Sequence, residues 1–409
     1  GRWAVTAGLV KGDVALSAVA AGAYTVASGG AVQSGLLLFA RGFTNAANNG
    51  LQVATTASTS TSIKVTAAVL EAAPPATATL EVAGFQGASA DITATTTGLA
   101  STVADFTTMG LFVGQWIWIG GGTAATPGAF GFASGGYRGW ARVTSVAAHA
   151  LGLDRTLTPQ ATDAGTGKTI QIFFGSFLRN VAIDNADYLE TSYQLELSLP
   201  GAATAAATDY VYAQGQLVKT FELSSPLTSK MDATLSFVGT STTDAATSRA
   251  TGASTAPLPY AVQAMNSVTE LARLRLVNQS DGSTTVSVDV NNWKLSLENN
   301  VGPQKQQATF GAARMIVGKC QVKVDLEVFL VQDDVIKAIR DNRTIAFEAC
   351  MRNGDCGLVF DIPSATLEGG AEKFPANGPV TVTPTIMAFQ DATYSFSLGC
   401  SRFPYLPAN

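Results

Sequence analysis

Residues 320–352 read CQVKVDLEVFLVQDDVIKAIRDNRTIAFEACMR, and this stretch decides the fold class. Cys320, Val322, Val324, Leu326, Val328 and Leu330 alternate with Gln321, Lys323, Asp325, Glu327 and Phe329. Side chains on a strand point to opposite faces in turn, so this alternation predicts a strand with one buried and one mostly polar face. Asp333 then stands as a helix N-cap, and Val335, Ile336 and Ile339 share one side of a short helix with Arg340 near its negative end. Isolated helices shorter than about 12–15 residues are marginal in water, so this one is expected to rest on a sheet. Ile345, Phe347 and Ala349 resume period two, and Asn353-Gly354 marks a hairpin turn into Leu358, Phe360 and Ile362. The unit predicted is strand, helix, hairpin.

A chain of 409 residues exceeds the ~250–300 at which single cores stop growing, so more than one domain is expected. Charged residues make up 13%, roughly half the ~25% usual in globular proteins, with Ala, Thr, Ser and Gly in their place. A surface of small polar residues suits a β-rich protein whose edges are paired or closed, because open edges invite aggregation. The net charge of −5 argues against a protein that grips nucleic acid, since that grip rests on Lys and Arg neutralising phosphates. It leaves room for one that DNA slides past. Four cysteines are too few for a disulfide scaffold of this size. Cys350 and Cys356 flank Asn353-Gly354; a three-residue loop would set them face to face for a disulfide, a shorter one would not. Cys320 and Cys400 fall on apolar strand faces, as buried thiols do. No apolar run approaches the ~18–20 residues of a membrane span, and the opening residues lack a leader pattern. The sequence opens at Gly1 without cap or turn logic, as expected of a chain that continues upstream.

Taken in order, residues 1–35 read as the end of a strand structure followed by a Gly/Ala/Ser-rich linker. Residues 36–178 read as an inserted β-rich region, Ig-like or a sandwich, made of two similar repeats at about 36–86 and 112–177. Phe43, Val53, Ile63, Val65, Glu71, Leu80, Val82 and Phe85 correspond to Phe132, Val143, Leu151, Leu153, Asp163, Ile170, Ile172 and Phe177, at an offset of roughly 90 residues. Between the copies, Leu111 to Ile119 is a strand with aromatics on one face. Residues 179–409 form the third segment, mainly antiparallel β with one short α-helix. Thr240 to Pro257 is a long Ser/Thr/Ala loop, uncommon in a compact domain unless functional. Val286, Val288 and Val290 make a strand whose alternation slips at Asn291-Asn292 and restarts at Trp293, Leu295 and Leu297, as at a β-bulge. Val380 and Val382, then Tyr394, Phe396, Leu398 and Cys400, are the last two strands, with Pro384 marking an edge or bend.

Catalytic patterns fail one by one. Asp163 to Thr169 resembles a phosphate-binding loop, but Thr162 stands where the first glycine belongs, and Ile170 to Phe174 reads as a strand where a helix is required. The single histidine, His149, sits in a turn and has no nucleophile or metal-ligand partners in the pattern. Asp184, Asp187 and Glu190 read as a solvated strand face, and Asp333 with Asp334 as a helix cap, not as a carboxylate pair for glycoside chemistry. No catalytic residue, cofactor or metal site is expected.

Leu297-Glu298-Asn299-Asn300-Val301, the strand and short helix, Phe360-Asp361-Ile362-Pro363-Ser364, and Phe403-Pro404-Tyr405-Leu406-Pro407 follow one another in a telling order. Over roughly residues 176–409, that order resembles the major tail tube proteins of bacteriophages with long, non-contractile tails. The resemblance implies an antiparallel β-sandwich flanked by a helix, with subunits closing into hexameric rings. The rings would stack into a tube whose bore carries double-stranded DNA and the tape-measure protein without sequence-specific contacts. It also implies tail terminator and tail tip proteins as partners, no membrane, assembly in the host bacterial cytoplasm and residence in the virion. Glu298, Asp325 and Glu327 are then candidates for lining the bore, where carboxylates repel phosphates, or else ordinary solvent-facing positions. Thr240, Ser248, Arg249 and Pro257 mark a candidate inter-subunit arm. The repeats read as an outer decoration whose removal should leave tubes intact. The competing reading is a β-rich adhesin or capsid- or tail-decorating protein, with Trp116, Trp118 or Trp140 exposed as a glycan platform.

Overall fold

The computed structural model describes residues 2–6, 16–26, 32–55, 58–59, 61–75, 78–123, 125–126, 128–133, 138–154, 161–200, 208–251, 265–278, 285–286, 289–308, 310–329, 334–374, 376 and 378–407. It is mainly β, with 55% strand and 4% helix, and every strand pairing is antiparallel. The first strand is β1 (Arg2–Thr6). The next twelve are β2 (Leu16–Ala20), β3 (Ala23–Val26), β4 (Leu36–Arg41), β5 (Gly50–Val53), β6 (Ser62–Lys64), β7 (Thr79–Gln86), β8 (Thr93–Thr95), β9 (Gly98–Ala100), β10 (Trp116–Ile119), β11 (Gly139–Ala147), β12 (Ala150–Leu153) and β13 (Gln171–Phe173). Then come β14 (Ser176–Val181), β15 (Tyr193–Pro200), β16 (Thr208–Ser225), β17 (Asp232–Val238), β18 (Ser241–Thr242), β19 (Leu271–Asn278), β20 (Thr285–Val286) and β21 (Asp289–Glu298). The last are β22 (Val301–Gln304), β23 (Arg314–Val317), β24 (Gln321–Phe329), α1 (Asp334–Arg340), β25 (Thr344–Asn353), β26 (Cys356–Lys373), β27 (Thr381–Ala388) and β28 (Gly399–Phe403).

The C-terminal unit is built on β26. Its first half pairs with β25 and β28, and its second half with β27, so one long strand belongs to two layers. One layer continues through β28 to β14 and β1, and through β25 to β19 and β20. The other runs β27-β24-β21-β16, with β15, β17 and β18 on β16. Val322, Val324, Leu326 and Val328 alternate with exposed or half-exposed neighbours and meet Phe347, Ala349 and Ile362 in one core. The Trp293 ring, from one layer, lies 5.9 Å from Phe347 of the other, edge to face. The segment 320–352 thus supplies both sides of the core.

Local chemistry explains the connections. Helix α1 buries Val335 and Ala338, with Ile339 half-buried on the same core, and packs on β26. It closes with the Arg343 N–H donating to Ala338 O at 3.0 Å and Asn342 at φ 46°, a left-handed helix end that asparagine tolerates. The Asp333 cap lies outside the described residues. The β25–β26 turn is Gly354-Asp355, because Asn353 pairs with Cys356. With that two-residue turn Cys350 faces Val359, and all four cysteines are free, so the shorter-loop alternative holds.

Three strand expectations need correction. Val286 pairs onto β19 whereas Val290 pairs onto β24, so the chain changes layers between them; Val288 lies outside the described residues. Tyr394, Phe396 and Leu398 are buried but precede β28 rather than extend it, because the turn at Asp391–Ser395 takes Ser395 to φ 60°. Of the two readings of Pro384, the edge fails, since it lies between two paired strands, and the bend stands, opposite a register shift at Gly369/Ala371.

The N-terminal unit is a separate nine-stranded sheet in the order β5-β4-β7-β13-β10-β11-β12-β9-β8, with β2-β3-β6 beside it. Outward from the central β7–β13 pair, β4 then β5 on one side mirror β10 then β11 on the other. The β2-β3-β6 order is likewise echoed by β8-β9-β12. Its core includes Val19, Tyr24 and Val26 ahead of Leu36. Chain enters and leaves this unit side by side, since Thr6 of β1 pairs with Phe177 of β14. Among the described residues no helix is long and apolar enough to cross a membrane.

Candidate functional surfaces

The nine-stranded sheet is apolar on both faces. One face covers its own core, and the other packs Leu37, Trp116, Trp140 and Phe173 onto Cys350, Val359, Phe403 and Leu406 of the C-terminal unit. Trp140 and Phe403 meet edge to face at 5.1 Å. Trp116 and Trp140 are buried, and half-buried Trp118 spends its indole N–H on Gly120 O at 2.9 Å. The expected exposed tryptophan platform does not exist, because a strand carrying Trp on one face and Ile on the other has been buried on both.

Charge is buried at the same contact. The Arg142 guanidinium donates to both Asp361 oxygens at 3.1 and 3.0 Å and to Asp154 at 2.6 Å, and it lies 4.4 Å from the Tyr394 ring centre. Opposite Asp361 on β25, Glu348 takes an ion pair from Arg273 at 3.0 Å and a hydrogen bond from Arg275 at 2.5 Å. Three arginines and three carboxylates make the set charge-balanced. Burial pushes the Asp361 and Glu348 carboxyls up, with the arginines pulling against it. A second tie runs from Arg402 to Glu81 at 3.1 Å, and the Trp116 N–H donates to Ser401 Oγ at 3.0 Å. Breaking a buried ion pair of this kind by removing one partner costs about 3–5 kcal/mol. The N-terminal unit therefore packs as a third layer against the C-terminal unit.

Glu298, Asp325 and Glu327 all point away from the core on the neighbouring strands β21 and β24. Asp325 accepts from Thr385 Oγ1 at 2.9 Å and sits 3.5 Å from Lys323. Glu327 accepts from Asn292 at 2.5 Å, and Lys294 pairs with Glu222 at 2.9 Å. With Glu368 on the same face, carboxylates outnumber the lysines interleaved among them. The face is acid-rich but mixed.

Residues 240–251 of the candidate arm run beside the hairpin β15–β16. The Thr240 N–H donates to Gln214 O at 3.0 Å, β18 pairs with Ala213-Gln214, and Ala246 bridges to Tyr210. Arg249 reaches Glu196 at 2.8 Å, a hydrogen bond that lowers the Glu196 pKa. Ser248 is exposed beside it, and Pro257 lies outside the described residues. Residues 240–246 thus pair along the edge of β16, and Arg249 and Ala250 reach the Glu196–Tyr212 face of the hairpin β15–β16.

The opposite face of that hairpin is uncovered. Tyr193, Leu195 and Leu197 are 47, 37 and 57% exposed, and Leu235 on β17 is 52% exposed although it sits opposite the core residue Phe221. The Tyr193 and Phe237 rings touch edge to face at 6.1 Å. Strand β17 pairs only with β16 among the described strands. The apolar stripe that lines the core thus runs out past the opposing layer into solvent.

Among the described residues no group of His, Cys, Asp or Glu is arranged to hold a metal ion. His149 stands exposed in the β11–β12 turn with Nδ1 3.0 Å from Ala104 O, and Gly165–Lys168 is a turn leading to β13. Asp187 is paired with Arg179. No protein-family model matches the chain, and no curated protein matches it.

Proposed function

We propose that this chain is a self-assembling structural subunit, of the kind that closes into rings, hexameric by the resemblance, and stacks into the tube of a long, non-contractile phage tail. The single observation that carries the reading is the exposed apolar stripe of Tyr193, Leu195, Leu197 and Leu235 on β15 and β17, continuous with the core. Monomeric proteins rarely leave a contiguous apolar stripe in water, and a ring of identical copies covers each with its neighbour. Permanent contacts of this type bury well above ~2,000 Å² per pair. The acid-rich face carrying Glu298, Asp325 and Glu327 supports a bore through which DNA and a tape-measure protein pass without being held. The adhesin reading loses its carrier with the burial of Trp116 and Trp140.

Leu195→Asp combined with Leu197→Asp tests the surface. Leu197 is mostly and Leu195 partly exposed, so stability should move by no more than about 1 kcal/mol per site. Purified variant protein should keep its circular dichroism and melting point and lose all high-mass species in sedimentation. Assembly at wild-type concentrations by this variant would sink the proposal for this face.

A further inference from the structure

The two ends of the C-terminal unit carry opposite features. Strands β22 and β23 form a hairpin of their own beyond Glu298, the last residue of β21. Phe310 stands at its tip, 92% exposed, the most exposed large apolar side chain among the described residues. The tip is anchored, because the Ala312 N–H donates to Thr240 O at 2.8 Å and the Ala313 N–H to Gln304 O at 2.9 Å. A phenyl ring fixed in water at that position contributes no burial to its own chain. At the other end of β21, Leu271, Leu274 and Val290 wall a pocket of about 190 Å³, with Leu227 and Val268 exposed at its mouth. The three wall residues are half-buried against the core, which comes to the surface here. Its volume admits one aromatic side chain.

Most of β16 separates the two features. The pocket lies at Ser225, and Thr240 is tied to Gln214, roughly 35 Å away at the rise of a strand. Ring and pocket therefore cannot meet within one chain, but a second copy displaced along β16 brings them together. The charges match as well. Residues 301–317 carry Lys305 and Arg314, both exposed, and no carboxylate. Glu270 and Asp289 each precede a residue of the pocket wall, and Asp232 pairs with Ser224 beside it, against one lysine, Lys230. We infer that Phe310 of one copy enters the pocket of Leu271, Leu274 and Val290 on a second copy, with Lys305 and Arg314 set against Asp232, Glu270 and Asp289. The contact is head to tail, with different patches on the two partners. It uses none of the stripe residues Tyr193, Leu195, Leu197 and Leu235, and it does not rest on ring closure.

Photocross-linking of the full chain tests it. Chain carrying p-benzoylphenylalanine at position 310 is mixed with isotope-labelled wild-type chain, irradiated and digested. Cross-links should join labelled to unlabelled peptides and fall within residues 225–231 or 265–274. Val268→Asp in the labelled chain puts a charge at the mouth and should cut the cross-linked fraction about tenfold or more. Phe310→Ser should weaken self-association in sedimentation about ten- to a hundredfold, the worth of one aromatic anchor. Both positions are exposed, so circular dichroism and melting point should stay at the wild-type values. Repeating the cross-linking with Leu195→Asp and Leu197→Asp, which leave both partners of this contact in place, separates its failure from a failure of the ring proposal. Cross-links confined to one chain, cross-links to any other region, or cross-links in irradiated cells only to a different protein would each overturn the inference, as would full cross-linking to Val268→Asp.

Discussion

Replacing residues 7–175 by a short turn between Thr6 and Ser176 should yield a C-terminal unit that fails to fold into soluble protein. The splice itself is benign, because Thr6 and Phe177 are already paired across β1 and β14 and a tight turn can join them. What the excision removes is the layer that covers Val359, Phe403 and Leu406, and with it Arg142, the partner of Asp361. Loss of that ion pair alone costs about 3–5 kcal/mol, and whole domains are stable by only about 5–15 kcal/mol. Exposing the apolar contact adds to the deficit. Expression, gel filtration and a thermal scan of the excised chain check the result. A monodisperse product with a cooperative melt would show that the repeats are dispensable after all.

The second large effect is expected from Val324→Asp. Val324 is fully buried, with Leu295 and Ile386 as its cross-strand neighbours on β21 and β27. A carboxylate there has no basic partner in an aliphatic core, and an unpaired buried charge costs several kcal/mol even after its pKa shifts. The variant should accumulate as insoluble protein, whereas Val324→Ala, which only opens a cavity, should remain soluble with a lowered melting temperature. Soluble Val324→Asp with native circular dichroism would mean that the core face of β24 has been misassigned.

How much of this was legible in the sequence depends on how local the cause is. The alternation of β24, the short helix after it and the slip at Asn291-Asn292 are nearest-neighbour patterns, and each sits where its residues predict. The turn at Gly354-Asp355 falls one residue from the reading because asparagine and glycine mark a turn without fixing its register. The packing of the N-terminal unit on the C-terminal one leaves a signal in the sequence. Leu36 to Ala40 and Trp116 to Ile119 are apolar at odd and even positions alike, which is the mark of a strand buried on both faces. Arg142 and Asp361 are 219 residues apart, so nothing local announces their pairing. The acidic residues Glu298, Asp325 and Glu327 were placed on the outward face by period two alone, but their lysine neighbours on that face become visible only once β16, β21 and β24 are in register.

The most direct test is a map of the assembled particle at side-chain resolution. The proposed function predicts closed rings around a common bore, with Tyr193, Leu195, Leu197 and Leu235 of every copy buried under its neighbour and the Asp325–Glu327 face turned to the bore. A particle in which each copy keeps its sheets to itself, with that apolar stripe still in water and no bore shared, would contradict it.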